Sequence, residues 1–504
     1  MVETETSVKK IADLLHGLAP ATVLRPRADE PVSGVYADSR QVQPGSVFVA
    51  VRGTQVDGRR FVEDALARGA SVVVGEEIDA TEQALIVNVP DARTALATLA
   101  LRWHGLTPES GCQLKLLGVT GTNGKSTTAL MTRAILQTAG LTCGLLGTVH
   151  YELCGRRLAA PMTTPGPLEL AAYLRECADA GADAVVLEVS SHALDQKRTD
   201  GLRFAAAAFT NLSGDHLDYH GTFEDYRRAK ARLFARLSPT AFAVVNADDE
   251  NHAFMVDSCP ARVLTYGLGG EVDIRASIES SSMDGTVYQL WLDGVASRLE
   301  NAFVGRHNVY NAIAAVGLAR SLGVARDDIA AGLRRCPAIP GRLQRVPCDS
   351  PAHVFVDYAH SDDALRTVLS ALRPLTDQRL IVVFGCGGDR DRSKRPRMAR
   401  VAAECADAVV VTTDNPRHED PGEIIAEVLG GFDAEARQRV VVEPDRARAI
   451  RAALAMARHR DIVLIAGKGH ETVQIIGDRR TEFDDVAVAI GAAAEFRRSE
   501  QGGA

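Results

Sequence analysis

Short apolar runs recur along this chain and alternate with longer stretches whose apolar residues return at helical spacing. In the first part the runs are Ser46 to Val51, Ala70 to Val74 and Ala84 to Val89, and Arg93 to Trp103 reads as a helix. Together they predict a small α/β domain. Farther on, Leu114 to Val119, Ala184 to Val189, Ala205 to Thr210 and Ala241 to Val245 are strand candidates separated by helical stretches, which predicts a parallel sheet wrapped by helices. From Val272 to Val304 the pattern changes to that of antiparallel strands, with Asp284-Gly285 and Asp293-Gly294 as hairpin turns, so a β insertion or flank is expected. After Pro337 to Gly341 a third alternation begins, with strands near Val354 and at Leu380 to Phe384, Ala408 to Thr412, Val440 to Val442 and Ile462 to Ala466. The chain therefore reads as three α/β domains, over residues 1–108, 109–340 and 341–504.

The polar clusters fall directly after predicted strands. These are Thr120 to Ser126, Glu188 to His192, Asn211 to His220, Gly385 to Arg390, Asp414 to Arg417 and Gly467 to Glu471. Open α/β sheets bind ligands at the carboxyl ends of their strands, so two domains each present a site-bearing edge and a cleft between them is expected. The first cluster is the most informative. In Gly118-Val119-Thr120-Gly121-Thr122-Asn123-Gly124-Lys125-Ser126-Thr127 a strand runs into a glycine-bearing loop and then a helix, the context of a phosphate-binding loop. Backbone N–H groups would turn around phosphate oxygens, Lys125 would reach the terminal phosphates, and Ser126 would ligate Mg²⁺. A nucleoside triphosphate is the expected ligand. The common spacing requires glycine at position 119, where Val119 stands, so the loop is a variant.

The other clusters carry two readings each. Glu188, ending an apolar strand beside the loop, is either a carboxylate for Mg²⁺ or simply precedes a helix-capping serine pair and a surface His192. Asn211 to Gly221 packs Asp215, His216, Asp218 and His220 into one loop, suited to positioning metal or phosphate or else a polar loop before a capped helix. Lys230, in Arg227-Arg228-Ala229-Lys230-Ala231, is by chemistry alone a solvated helical lysine. Pro416 fixes a turn that projects Arg417 from a strand end, where a guanidinium suits bidentate capture of a carboxylate; the plainer reading is an ordinary turn with an exposed arginine.

Composition narrows the partners. The formal net charge of -8 over 504 residues, with Lys and Arg scattered, speaks against a nucleic-acid surface and for small molecules. The nine cysteines form no C-x-x-C pair and no framework, which points to reduced thiols. No apolar run approaches the roughly 18 residues of a membrane span and the N-terminus is unlike a signal peptide, so a cytoplasmic protein is expected.

With these residues assembled, the chain closely resembles the Mur ligases. The matches run in order through Asp38-Ser39-Arg40, Pro44 to Ala50, the phosphate loop, Thr163-Thr164-Pro165, Glu188 to Leu194 and Thr210 to Gly221. They continue through Gly305 to Asn308 with Asn311, Pro340-Gly341-Arg342, Asp357 to His360, Gly385 to Arg390, Asp414 to Arg417 and Gly467 to Glu471. The resemblance implies an N-terminal UDP-binding domain, a central P-loop ATPase-type sheet and a C-terminal Rossmann-like domain that closes over an amino acid. It assigns Ala37, Ser39, Thr54, Gln55, Val56, Thr163, Thr164, Ser190, Gln196 and Arg198 to a UDP-sugar peptide. It assigns Gly121, Thr122, Asn123, Gly124, Lys125, Ser126 and Thr127, with Asn308, Asn311, Arg342 and Asp357, to ATP. Arg390, Asp414, Asn415, Pro416, Arg417, Gly467 and Glu471 match the amino-acid contacts, with Glu471 suited to an ammonium. Lys125, Glu188, His216 and Lys230 are the implied catalytic set. Ser126, Glu188, His216 and a carbamylated Lys230 are implied to hold Mg²⁺.

The activity implied is ATP-dependent amide formation between the D-glutamate γ-carboxylate of UDP-N-acetylmuramoyl-L-alanyl-D-glutamate and meso-2,6-diaminopimelate, by a monomer. Arg417 is the discriminator, because diaminopimelate carries a second carboxylate that lysine lacks. Alternatives are a lysine-adding or folylpolyglutamate-type ligase, or a P-loop NTPase module that makes no bond. Gly214, Met162, Asp362 and Gln344 depart from the family's usual arginine, asparagine, proline and glutamate, which touches the details of UDP-peptide contacts and the hinge.

Overall fold

The computed structural model describes residues 9–18, 27–53 and 56–502. The first sheet has four parallel strands in the order Val35–Tyr36, Ser46–Ala50, Ala70–Gly75 and Leu85–Asn88. Its strands are covered on both faces: Val47, Val49, Val72 and Val74 pack towards Ile11, Leu14 and Leu99, while Phe48 and Val73 pack towards Ala65 and Ile78.

The central sheet has eleven described strands. Its parallel heart runs Arg262–Gly267, Phe242–Asn246, Phe204–Phe209, Lys115–Thr120, Ala184–Glu188, Cys143–Leu146. The alternating segment forms the strands Ile274–Ser282, Gly285–Leu292 and Val295–Asn301, paired antiparallel through the two expected Asp-Gly turns. This flank continues the same sheet, because Ile274–Ser282 pairs with Arg262–Gly267. On one face Leu117, Val119, Val186 and Val244 meet the helices Lys125–Thr138 and Arg306–Ser321; on the other Val185, Leu187, Ala207 and Phe209 meet Pro167–Asp179 and Phe223–Ala235. Burial on both faces is why these strands read as unbroken apolar runs.

The third sheet has the order Gln344–Arg345, His353–Asp357, Ile462–Ala466, Leu380–Phe384, Ala408–Val411, Val440–Val442, parallel except at its first strand. A separate hairpin, Val473–Ile476 with Arg479–Glu482, lies beyond it. No helix among the described residues is long and apolar enough to cross a membrane.

Strand register brings the motifs together. Val119 lies opposite Glu188 and Thr120 opposite Phe209, so three neighbouring strands deliver the phosphate loop, Glu188 and Asn211 to one edge. In the third sheet Asp357 pairs with Ala466 and Phe384 with Val411, which brings the chain leading into Tyr358, Gly385, Thr412 and Gly467 to a second edge.

One buried ion pair fastens the C-terminal helix. Arg446 and Asp485 are both fully buried and meet twice at 2.7 Å. Breaking such a pair from one side strands a charge in a dry interior. Arg446→Met is therefore expected to destabilise the C-terminal domain by about 3–5 kcal/mol, read by urea denaturation, and adding Asp485→Leu should recover most of that loss.

Candidate active site

Glycine makes the phosphate loop possible. Gly124 has φ +86° and an added Cβ would stand 2.2 Å from Asn311 Oδ1; at Gly121, φ +147°, it would meet Thr210 Oγ1 at 1.9 Å. The helix Lys125–Thr138 starts directly behind. Lys125 Nζ folds back to donate to the Gly121 and Thr122 carbonyls at 3.0 and 2.7 Å. Desolvation holds its pKa below the usual lysine value, against the opposing pull of Glu188 and Asp215.

Glu188 is the node of this edge. It is 2% exposed, and its carboxylate accepts from Ser126 Oγ at 3.0 Å, the Thr148 N–H at 2.8 Å and Thr148 Oγ1 at 2.9 Å. The capping part of the plainer reading is met, since Ser190 Oγ accepts from the Ala193 N–H and caps the helix Ser191–Asp195, but His192 is half-buried and not a surface residue. Carboxylate and hydroxyl oxygens beside a phosphate loop form a hard donor set that fits Mg²⁺. No three His, Cys, Asp or Glu side chains among the described residues are grouped to hold a metal by themselves.

Lys230 corrects the reading taken from chemistry alone. It is not solvated: it is 2% exposed and its Nζ donates to the Gly121 carbonyl at 2.7 Å. Burial first, and then the Lys125 charge, push its pKa well below the lysine value, so that the amine tends to its uncharged form. Tyr226, Ala229, Lys230, Leu233 and Phe234 form the buried stripe of the helix Phe223–Ala235, and that spacing is the signal in the sequence that pointed inward. His216 has left-handed backbone (φ +55°), sits 3.5 Å from Asp215 and packs edge-on against His192. Lost solvation drives His216 down to about 3, with Asp215 opposing. Ser126 and Glu188 are thus joined directly, whereas Lys230 attaches through Gly121 and no hydrogen bond ties His216 to Glu188.

A cavity of about 490 Å³ opens between the central and C-terminal domains. The loop, Asn308, Asn311, Arg342 and Asp357 line it. Asn311 Nδ2 donates to Asn308 Oδ1 at 3.1 Å, and Asp357 accepts from the Ala359 N–H at 2.7 Å and the Leu343 N–H at 2.5 Å. Arg342 lies over the Tyr358 ring and donates to Ser126 Oγ at 2.9 Å. Sequence reasoning passed over several groups here. Asp363 of the C-terminal domain accepts from Asn123 Nδ2 at 3.0 Å and Ser213 Oγ at 2.8 Å. His470 donates from Nε2 to the Thr148 carbonyl at 3.2 Å. Lys394, buried near Asp215 and His360, makes no side-chain hydrogen bond or ion pair among the described residues. Thr148 follows a four-residue strand too short to stand out, and Asp363 in a helix's first turn looks like ordinary capping.

Thr163, Thr164, Ser190, Gln196 and Arg198 form one connected patch. Thr163 Oγ1 is 3.1 Å from Thr148 Oγ1, Thr164 Oγ1 donates to the Glu188 carbonyl at 2.7 Å and accepts from the Ser190 N–H at 3.1 Å. Arg198 donates to the Thr164 carbonyl at 2.8 Å and to Gln196 Oε1 at 2.7 Å. In the N-terminal domain Ser39 is buried while Ala37 and Val56 are exposed, and no hydrogen bond among the described residues links them to this patch. Thr54 and Gln55 lie outside the described residues.

At the second edge Arg417 has φ +52°, its N–H donates to the Ile475 carbonyl at 3.1 Å and its Nη1 to the Gly388 carbonyl at 2.7 Å. Burial, then the Arg390 charge, lowers its pKa. Arg417 is thus a half-buried guanidinium stitched to the hairpin, while Arg390 is exposed. Gly467 needs its φ of +116°, and a Cβ there would come 2.6 Å from Asp414 Oδ2. Asn415 and Glu471 are bonded to each other at 2.9 Å. The departures are locally accommodated: Gly214 faces open space, Asp362 pairs with Arg397 at 3.1 Å, and Gln344 Oε1 accepts from the Gly341 N–H at 2.9 Å.

Comparison with known proteins agrees with this geometry over nearly the whole chain. Residues 31–104 match the model for the Mur ligase family catalytic domain, 119–319 the Mur ligase middle domain, and 341–469 the Mur ligase glutamate ligase domain. A protein of Solibacter usitatus named UDP-N-acetylmuramoyl-L-alanyl-D-glutamate–2,6-diaminopimelate ligase is 44% identical, covering 94% of this chain and 96% of its own. One of the same name from Geobacillus kaustophilus is 42% identical, over 91% of this chain and 94% of its own. A solved structure with that name superposes with a TM-score of 0.66 at 35% identity, covering 93% of this chain and 96% of its own. The MurF ligase of Thermotoga maritima in complex with ADP, at 21% identity and a TM-score of 0.61 over 93% and 98% of the two chains, shares the fold.

The glycine constraint is open to test. Gly124→Ala forces its Cβ against Asn311, a strain of about 1–3 kcal/mol. Shifting the loop to relieve that strain is expected to lower the affinity for a non-hydrolysable ATP analogue, measured by calorimetry, roughly 5- to 100-fold, and the strain that remains should lower the melting temperature by about 2–4 °C per kcal/mol.

Proposed function

As the chain belongs to the Mur ligase family, we propose that it joins meso-2,6-diaminopimelate to the D-glutamate γ-carboxylate of UDP-N-acetylmuramoyl-L-alanyl-D-glutamate, converting ATP to ADP and phosphate in peptidoglycan synthesis. The observation that carries the reading is a cavity walled by the phosphate loop of the central sheet and by Arg342, Asp357 to His360 and Asp363 of the C-terminal domain, with Arg417 fixed by the Gly388 carbonyl beyond another strand end of that same C-terminal sheet. The full-length relatives bearing that name support the choice of substrates.

A carboxylate acylates poorly because an attacking amine would have to expel oxide. Transfer of the γ-phosphoryl group to the D-glutamate carboxylate turns that oxygen into part of a phosphate leaving group, and ADP departs. The uncharged amine of diaminopimelate then attacks the acyl carbon, the C–O bond to phosphate breaks, and the amine proton is lost. No covalent enzyme intermediate is involved. Within this scheme the protein positions and neutralises. Lys125 exchanges its bonds to Gly121 and Thr122 for phosphate oxygens. The Thr163 to Arg198 patch, joined to Glu188 through Thr148 and Thr164, aims the acceptor carboxylate at the loop. Arg342 and Asp363 reach Ser126 and Asn123 from the C-terminal domain, so closure that excludes water also tightens the loop. Ser126 and Glu188, with His216 and a carbamylated Lys230, are the groups we assign to Mg²⁺, which when bound supplies further neutralisation of the phosphates. Carbamylation of Lys230 is supported by its burial and lowered pKa, since an uncharged amine adds CO₂ and releases a proton, leaving an anionic oxygen pair where a cation stood.

Arg417 distinguishes this reading from a lysine-adding ligase. Phosphate release from ATP with the UDP-dipeptide is expected with meso-diaminopimelate and to be far slower with L-lysine; release with neither overturns the proposal. Arg417→Ala should raise the KM for diaminopimelate, at a cost of about 2–5 kcal/mol, and leave that for ATP nearly unchanged. For Lys230, isotopically labelled bicarbonate should give a carbamate NMR signal that is absent from Lys230→Arg, with activity lost in the variant; an active Lys230→Arg enzyme contradicts the assignment.

A further inference from the structure

Two residues before Arg417, Asn415 is held by a lysine that the reaction does not call on. Lys468 is 0% exposed, and its ammonium donates to Asn415 Oδ1 at 3.1 Å, Glu471 Oε2 at 3.2 Å and the Val473 carbonyl at 2.7 Å. An ammonium has three N–H donors, so this one is fully used inside the protein and keeps nothing for a ligand. What it does is orient two neighbours. Asn415 Oδ1 also accepts from the Ile475 N–H at 3.0 Å, while its Nδ2 donates to Glu471 Oε2 at 2.9 Å, so the amide has one workable orientation and one N–H to spare. Both bonds to Glu471 land on the same oxygen. Oε2 is pinned, and Oε1 makes no hydrogen bond among the described residues.

The charge of Lys468 matters as much as its geometry. Glu471 lies close enough to Arg417 to act on its titration. A free carboxylate beside a half-buried guanidinium pairs with it, and such a pair would fill the pocket and consume both recognition groups. The buried ammonium bonded to Glu471 Oε2 competes for that carboxylate and holds it back. The pocket then offers an unpaired carboxylate oxygen and unpaired guanidinium N–H groups, the complement of a carbon bearing both an ammonium and a carboxylate.

We propose that Lys468 is a positioning residue for acceptor selection: through Glu471 and Asn415 it aims Glu471 Oε1 at the ammonium on the distal carbon of the amino-acid substrate. This rests on reading the C-terminal domain as the diaminopimelate site. Recognition of the distal carboxylate by Arg417 and the phosphate chemistry do not pass through it.

The test compares meso-diaminopimelate with 2-aminopimelate, which keeps the distal carboxylate and lacks the distal ammonium. Wild-type enzyme should prefer diaminopimelate in kcat/KM by roughly ten- to a hundred-fold, the worth of one charge-assisted hydrogen bond. Lys468→Met should bring that ratio near unity, mainly through the KM for diaminopimelate, with the KM for ATP unchanged. Glu471→Gln should do the same, and the double variant should add nothing further. Lys468→Arg, which keeps a charged donor, should retain part of the preference and serves as well if the methionine variant folds poorly. Equal losses with both acceptors in either Lys468 variant, or additive effects in the double variant, overturn the proposal. Inactivity of the wild-type enzyme with diaminopimelate is a separate result that strikes the functional reading itself.

Discussion

The register of three adjacent parallel strands is the constraint on which the rest of this site depends. Because Val119 sits across from Glu188 and Thr120 across from Phe209, a loop built for phosphates, a buried carboxylate and an asparagine-led loop end at the same level. A slip of one residue would turn Glu188 from the edge into an apolar face. That slip would also exchange Leu117, Val119, Ala184 and Val186 with Leu116, Val185 and Leu187 between the two apolar cores that these strands separate, and close packing opposes the exchange. The packing that stabilises the domain and the geometry that serves chemistry are therefore one arrangement.

Glu188 converts that register into communication. Its carboxylate joins Ser126 of the phosphate loop to Thr148, and Thr148 in turn touches Thr163 on the central domain and His470 on the C-terminal domain. Arg342 and Asp363 add two more links from the C-terminal domain to the loop. The bonds from Asp363, Arg342 and His470 end on Asn123, Ser213, Ser126 and Thr148, in or beside the loop and Glu188. Domain closure and assembly of the reactive centre are coupled by this layout, which suits an intermediate that water would destroy.

Cations sort into two kinds. Lys125 and Arg417 hold bonds to backbone carbonyls at the two strand-end edges. Lys468 and Arg446 are sealed and set the position or charge of carboxylates around them. Lys230 belongs to neither: it is buried over the Tyr226 ring with the Gly121 carbonyl as its one hydrogen-bond acceptor among the described residues, and burial pushes its pKa well below the lysine value.

Much of the fold was legible from residue pattern alone, because a strand covered on both faces must be apolar throughout, and the predicted runs at Leu380 to Phe384 and Ile462 to Ala466 coincide with such strands, while the run Val440 to Val442 is a strand at the sheet edge with Val441 and Val442 exposed. The strands Tyr151–Glu152 and Arg157–Leu158 and the hairpin Val473–Ile476 with Arg479–Glu482 escaped, being short or solvent-facing and so carrying no hydrophobic signature. Local sequence also determined the phosphate loop, since glycine at 121 and 124 answers a backbone demand met within a few residues. The pinning of Glu471 by Lys468 and the reach of Asp363 to Asn123 were decided only by tertiary structure, whereas for Lys230 the helical spacing marked the inward face and tertiary structure decided what meets it there. A charged side chain has the same identity in water and in a sealed pocket, and its role changes with solvation and neighbours that come from distant parts of the chain.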